Sequence, residues 1–269
     1  KIHNDTNAET TYNAKYSWAT STGFQTSGYF SGSQSLLYVA IRKAPMATPT
    51  TRASVFNVQE VSSAASSITN IGFPTDLSIT KRTTQTVGWT VKDRMRGGTK
   101  LLQFHNTNAE ETDTGGSNST SFSFMDSFNP ESSNNTNASY QFRRAPEFLD
   151  IVLYTGTGSN GRTVAHALGT TVGMIWAKSR SAAGEPWYVF HTSLGTNKSI
   201  FLNQTNAVAT SDDGFWTTLP TATEFSVAYN GTNKDGGDFI AYVFGSLNGI
   251  SKAGSFSHTN GSSTDVDCG

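Results

Sequence analysis

Several side-chain patterns in this chain invite a chemical reading. Gly156-Thr157-Gly158-Ser159-Asn160-Gly161 has the spacing of a dinucleotide-binding loop. Such a loop works by presenting a pyrophosphate to a helix N-terminus, with an acidic residue about 20 positions on to hold the ribose. Here Arg162-Thr163-Val164-Ala165-His166 follows without helical periodicity, and Met174 to Lys178 carries no acid. The segment therefore reads as a glycine-rich turn. Asp212-Asp213-Gly214 and Asp235-Gly236-Gly237-Asp238 offer oxygens of the kind calcium collects, but neither has EF-hand spacing and both suit hairpin turns. His3, His105, His166, His191 and His258 are scattered, with no two of them four residues apart as a helical zinc pair would be. No nucleophile elbow of the Gly-x-Ser-x-Gly type occurs. The sequence thus nominates no catalytic residue, no cofactor-binding residue and no metal ligand, and the expectation is a protein that is not an enzyme.

Aromatic and basic residues offer binding rather than chemistry. Trp89 and Trp187 stand in apolar runs and are expected in the core, whereas Trp18 and Trp216 have polar neighbours and are the candidate platforms for stacking a sugar ring. Lys92, Arg94, Arg96 and Lys100 cluster near Asp93, Glu110 and Glu111, which reads as surface charge balance. Eight Asn-x-Ser/Thr sequons, at Asn4, Asn118, Asn134, Asn137, Asn197, Asn203, Asn230 and Asn260, would carry glycans in a secreted eukaryotic protein. A chain rich in Asn, Ser and Thr also produces such triplets by chance.

Composition narrows the setting. Charged residues make up 14% of the 269 positions, and the formal charge is −1. Duplex nucleic acid is held by neutralising phosphates, and this balance excludes it as an expected partner. The one cysteine, Cys268, permits no disulfide within the chain. No apolar stretch approaches the roughly 20 residues that span a bilayer, so no membrane insertion is expected. The chain opens on Lys1 rather than Met and reads as a piece of a longer polypeptide.

The elements that position these residues repeat. Trp89-Thr90-Val91, Gly97, Lys100 and Asn106-Thr107-Asn108-Ala109 match Trp187-Tyr188-Val189, Gly195, Lys198 and Gln204-Thr205-Asn206-Ala207, each pair 98 residues apart. Gly72 and Leu77 to Lys81 match Gly169 and Met174 to Lys178 at a spacing of 97. Ile41-Arg42-Lys43-Ala44-Pro45 returns as Phe142-Arg143-Arg144-Ala145-Pro146, which suggests a structural role for the basic pair at a strand end or between domains. The predicted organisation is the latter half of one copy over 1–45, full copies over 46–146 and 147–247, and the opening of another over 248–269.

Within a copy the apolar period is two. Phe148 to Tyr154, Met174 to Ala177, Trp187 to Phe190, Ser199 to Leu202 and Phe239 to Phe244 read as strands separated by Gly, Asn and Asp turns. Val61 to Ile68 is the nearest approach to a helix, and Thr112 to Ser139 reads as a long loop broken by one strand or turn. The predicted fold is all-β, a tandem series of antiparallel sandwiches or jelly rolls, each with its own core.

Two runs carry a resemblance. Gly72-Phe73-Pro74-Thr75-Asp76-Leu77 to Arg82 and Val91-Lys92-Asp93-Arg94-Met95-Arg96-Gly97-Gly98 to Leu102, with Val164 to Gly169 and Met174 to Arg180 in the second copy, are similar to an uncharacterised repeat domain of marine phage tail-fibre and related virion proteins. The resemblance implies a virion-surface or extracellular location and a structural, adhesive role. Its partners would be other copies of itself or other virion proteins, together with cell-surface polysaccharide. The sequons and exposed-looking tryptophans sustain an alternative, an extracellular glycoprotein filament or carbohydrate-binding adhesin.

Overall fold

The protein is described from a computed structural model, which covers residues 17–19, 24–26, 47–61, 70–84, 86, 88–112, 136–211, 214–229 and 231–268. It divides into two compact units, Lys1–Pro45 and Met46–Gly269. In the first unit the described backbone is a short antiparallel pair, β1 (Ser17–Ala19) with β2 (Phe24–Thr26).

The second unit is built on two six-stranded antiparallel sheets. The first contains β3 (Phe56–Val61), β4 (Leu77–Arg82), β5 (Thr90–Asp93), β6 (Lys100–Gln103), β7 (Glu111–Thr112) and β8 (Asn137–Phe142) in the order β3-β8-β4-β5-β6-β7. After an intervening strand pair is set aside, the second contains β9 (Leu149–Thr155), β11 (Val172–Ser179), β12 (Tyr188–His191), β13 (Lys198–Phe201), β14 (Ala209–Thr210) and β16 (Asp238–Gly245) in the order β9-β16-β11-β12-β13-β14. The set-aside pair is β10 (Arg162–Ala165) with β15 (Glu224–Val227). Strand for strand, the two orders are the same. Registers agree as well: Val91 faces Leu102 as Val189 faces Ile200, and Leu77 faces Phe142 as Met174 faces Phe244.

Glycine explains part of the sequence repeat. Gly97 and Gly195 end equivalent turns with φ of 94° and 79°, in the left-handed region that costs other residues strain. A residue with a side chain at either position would distort the turn that returns the chain into β6 or β13.

Period-two alternation sends side chains to both faces of the second sheet. Along β16, Phe239, Ala241 and Val243 enter one core while Ile240, Tyr242 and Phe244 enter another. The register of β11 shifts between Val172 and Met174, so that Val172 and Ile175 share a face despite their odd spacing. The first core is closed by Val164, Phe225 and Val227 of the β10–β15 pair together with Phe215 and Trp216. The second is shared: Leu77, Ile79, Val91 and Leu102 of the first sheet, with Val55 just before β3, meet Leu149, Ile151, Trp187, Ile240, Tyr242 and Phe244.

The fold is therefore all-β, with the two large sheets facing one another as a sandwich. Within the second unit the described residues of the two repeats do not form fully separate cores. The second repeat has a core of its own, but the first closes over its other face, because that face is apolar along β9, β11 and β16 and would otherwise stand in water. Among the described residues there is no α-helix, and none long and apolar enough to cross a membrane. Residues 62–69 and 113–135, which hold most of the helix candidate and of the predicted long loop, lie outside the described residues.

Candidate functional site

The seam between the sheets holds a cluster of buried polar side chains. Asp93 and Arg96 are both buried, with the Arg96 Nε donating to Asp93 Oδ2 at 2.5 Å and the Arg96 backbone N–H to Oδ1 at 2.9 Å. From the other sheet the Tyr242 hydroxyl donates to Asp93 Oδ2 at 2.7 Å. Arg96 Nη2 also donates to the Val91 carbonyl at 2.9 Å. Glu110 lies 3.5 Å from Arg96 Nη1 and receives Arg180 Nε at 2.8 Å. Burial and the Asp93 carboxylate push the Tyr242 phenol well above its usual range, so it stays a donor. A buried guanidinium with two carboxylates and a phenol is fully partnered here, with no free acid or base for proton transfer. The charge clustering in the sequence places Arg96 at the surface, and the structure instead buries it. The i, i+3 spacing of Asp93 and Arg96 across a tight turn was the available signal for a local pair, though not for its burial.

A second polar junction sits where β8 passes into β9. Arg144 donates through Nε and Nη2 to Asp150 Oδ1 at 2.9 and 2.5 Å, and its backbone N–H donates to Asp76 Oδ2 at 2.7 Å. The Arg143 N–H reaches the Val55 carbonyl at 2.8 Å. Burial holds Asp76 above the ordinary carboxylate range, opposed by the Arg144 N–H and the charges of Arg94 and Arg144. The basic pair thus stands at the passage from one sheet to the next.

The glycine-rich segment is a turn that leads into β10, not a helix. Buried Asn233 organises it: its carbonyl accepts from Gly158 N–H, its Oδ1 from Thr157 N–H, and its Nδ2 donates to the Ser159 carbonyl at 2.6 Å. His166 is buried, and that burial lowers its pKa, while its Nδ1 accepts from Leu168 N–H. Among the described residues no three His, Cys, Asp or Glu side chains converge as metal ligands. Asp212 and Asp213 lie outside the described residues, as does His3.

The two proposed sugar platforms fare differently. Trp18 is in β1, with its side chain outside the description. Trp216 is 0% exposed, packed edge-on to Phe190 and Phe225 in the first core, and so presents no ring to a ligand. Its polar sequence neighbours misled, because the residues that bury it come from β12 and β15. Trp187 is core as expected, and Trp89 is half-buried beside the shared core. Of the sequons, Asn137 is 4% exposed inside β8 and is closed to modification in the folded chain. Asn203 is half-buried, with its Oδ1 accepting from Trp187 N–H at 3.0 Å. Asn197 is half-buried at a left-handed turn, and Asn260 is exposed. Asn4, Asn118, Asn134 and Asn230 lie outside the described residues.

An open cleft that sequence reasoning missed lies beside β12 and β15. It encloses about 640 Å³ and is lined by Glu185, Tyr188, Phe215, Tyr229, Lys234 and Asp235, among others. Tyr229 is 53% exposed, an uncovered ring just past the end of β15. The Tyr188 hydroxyl donates to Glu185 Oε2 at 3.0 Å, and Lys234 Nζ stands 4.0 Å from Oε1. Gly231 is needed at the wall, since a Cβ there would lie 2.8 Å from the Tyr188 ring. A carboxylate fixed by a phenol, an exposed ring and a second acid can bind a polar ligand through hydroxyl contacts and stacking.

Searches of curated proteins and of solved structures find no match to this chain. Residues 146–269, a stretch that opens at the turn between the sheets and takes in the whole second sheet, match the family described as Domain of unknown function (DUF7483).

Proposed function

We propose that the chain is a non-catalytic structural component of a phage virion appendage, a tail fibre or capsid-decorating fibre at the virion surface that serves adhesion to the host. The observation that carries this reading is the pair of strand-for-strand equivalent sheets locked face to face across one apolar core. Repeats joined in this way make a stiff element whose length grows by adding units, which suits a spacer that holds a binding surface away from a particle. The similarity to marine phage repeat domains supports the same reading. Its partners are other copies of itself or other virion proteins. Mass spectrometry of purified particles, with antibody labelling in electron micrographs, is expected to find the chain on an appendage, and its absence from particles would defeat the proposal.

The cleft favours a second reading, a carbohydrate-binding adhesin module. Tyr229 would stack the C–H face of a pyranose while Glu185 accepts its hydroxyls, and the excess of acid over base at the rim favours neutral over anionic sugars. On a glycan array, Tyr229→Ala is expected to weaken retention about threefold to tenfold, and unchanged retention would remove this site. A secreted glycoprotein filament would instead show sugar mass on Asn260, the exposed sequon among the described residues.

A further inference from the structure

One row of side chains crosses the first sheet, Val58–Tyr140–Ile79–Val91–Leu102, each opposite the next. One step further along the register that pairs Leu101 with Glu111 stands Glu110. The equivalent row of the second sheet is Ile151–Tyr242–Trp176–Val189–Ile200, followed by Val208. Burial along the two rows runs in opposite directions. Leu102 is 1% exposed and Val58 47%, whereas Ile151 is 1% exposed, Ile200 36% and Val208 45%.

The contact between the sheets accounts for this. The β6 end of the first sheet covers the β9–β16–β11 side of the second: Phe104 packs on Trp176 and Trp187 with ring centroids 5.5 and 4.8 Å apart, and Glu110 pairs with Arg180. Different ends of one repeating unit meet, so the contact is heterologous and does not close on itself. Its counterpart on the second repeat, Ile200 with Leu202 and Val208, is left uncovered although Leu102, Phe104 and Glu110 at the same repeat positions are engaged. At the other end, Val58 is the uncovered counterpart of Ile151.

We propose that Ile200, Leu202 and Val208 dock a second molecule of this chain, which seats there the β3 side of its first sheet through Val58, Tyr140 and Trp89. The match repeats the internal seam without its two ion pairs, while Lys178 and Leu153 of the second sheet are matched by Lys81 and exposed Glu60, which flank Ala138 one step along from Val58. Where Glu110 meets Arg180, the equivalent residues are Val208 and exposed Thr83; where Asp93 meets Arg96, they are His191 and Leu194. Neither ion pair is therefore repeated with one partner missing, which would be the costly outcome, and exposed Glu60 stands at the edge of the contact where its carboxylate keeps water. Phe104 on Trp187 becomes Leu202 on Trp89. Because the joint is heterologous, association extends in series rather than stopping at a dimer.

The proposal deepens the appendage reading and rests on it for the purpose of assembly, but not for the geometry. Particles lacking the chain would defeat that reading and leave the following measurement to stand by itself. Sedimentation velocity on the full chain, in reductant to keep exposed Cys268 free, is expected to show mass rising past a dimer with concentration. The double substitution Ile200→Asp/Leu202→Asp, and separately Val58→Asp, should each weaken association more than tenfold. All three positions are exposed, so melting temperatures should hold, and Leu219→Asp, at 59% exposure outside the surface, should change nothing. A chain that stays monomeric throughout, or association that survives either set of substitutions, overturns the proposal.

Discussion

The two sheets share a strand order but differ in what lies on the face turned away from their common core. In the second sheet that face carries Phe239, Ala241, Val243, Ile175 and Ala177, sealed by the β10–β15 pair. At the equivalent positions the first sheet carries Asn137, Ser139, Gln141, Ser78 and Thr80. Four of these five are buried, and Ser78, Thr80, Ser139 and Gln141 bond to one another: Gln141 Nε2 donates to Ser78 Oγ at 3.0 Å and Ser139 Oγ at 2.6 Å, and Thr80 and Ser139 hydroxyls stand 3.0 Å apart. The same backbone is thus held once by apolar burial and once by a hydroxyl and amide ladder. The turn glycines and the shared-core face are what the two copies have in common, and the opposite face is where they diverge.

The largest expected effect probes the common face. Trp187→Ala removes a fully buried indole that also donates to the Gln103 carbonyl at 2.8 Å, and should cost about 5 kcal/mol in denaturant unfolding. Trp89→Ala, at the same repeat position but half-buried, should cost less than half as much. Equal losses would mean that the two copies are packed alike. Next is the divergent face: Val243→Gln places an amide in an apolar core and should cost about 4 kcal/mol. The reverse exchange, Gln141→Val, should cost only about 1 kcal/mol, since Gln141 Oε1 already has no partner among the described residues. Arg96→Met strands the buried Asp93 carboxylate between the sheets and should cost about 3 kcal/mol. Adding Asp93→Asn should recover part of that loss.

A further difference between the sheets is read through pH. Burial holds Lys178 down to about 8 from an ordinary 10.5, although its ammonium donates to the Glu185 carbonyl at 2.9 Å and to the Thr107 carbonyl of the first repeat at 3.4 Å. Between these two values the unfolded chain binds more protons than the folded one, so stability contributed at this site rises with pH. Relative to Lys178→Met, the wild-type chain should gain on the order of 2 kcal/mol between pH 8 and pH 10, read from unfolding midpoints. A gain in the opposite direction would mean that the ammonium is stabilised by its carbonyls.

The sequence made the strands and the repeat legible because both are local. Alternation along Phe239 to Phe244 and the recurring turn glycines each depend on a residue's own backbone. What covers each face depends on residues a hundred positions away. Trp216, amid Asp, Gly and Thr, therefore read as exposed, and Asn137 read as a loop sequon although it lies in a central strand. Charge spacing showed that Asp93 could meet Arg96 but not that Tyr242, 149 residues on, would complete the pair. The cleft at Tyr229 had no local signal beyond a lone aromatic at the end of an apolar strand.

Hydrogen exchange of the full chain across a denaturant series tests the shared core most directly. Amides of β5 and β6 and those of β11 and β16 should lose protection together, with one midpoint, because neither sheet can leave without exposing the other. Two separate midpoints, with the second sheet still protected after the first has opened, would contradict it.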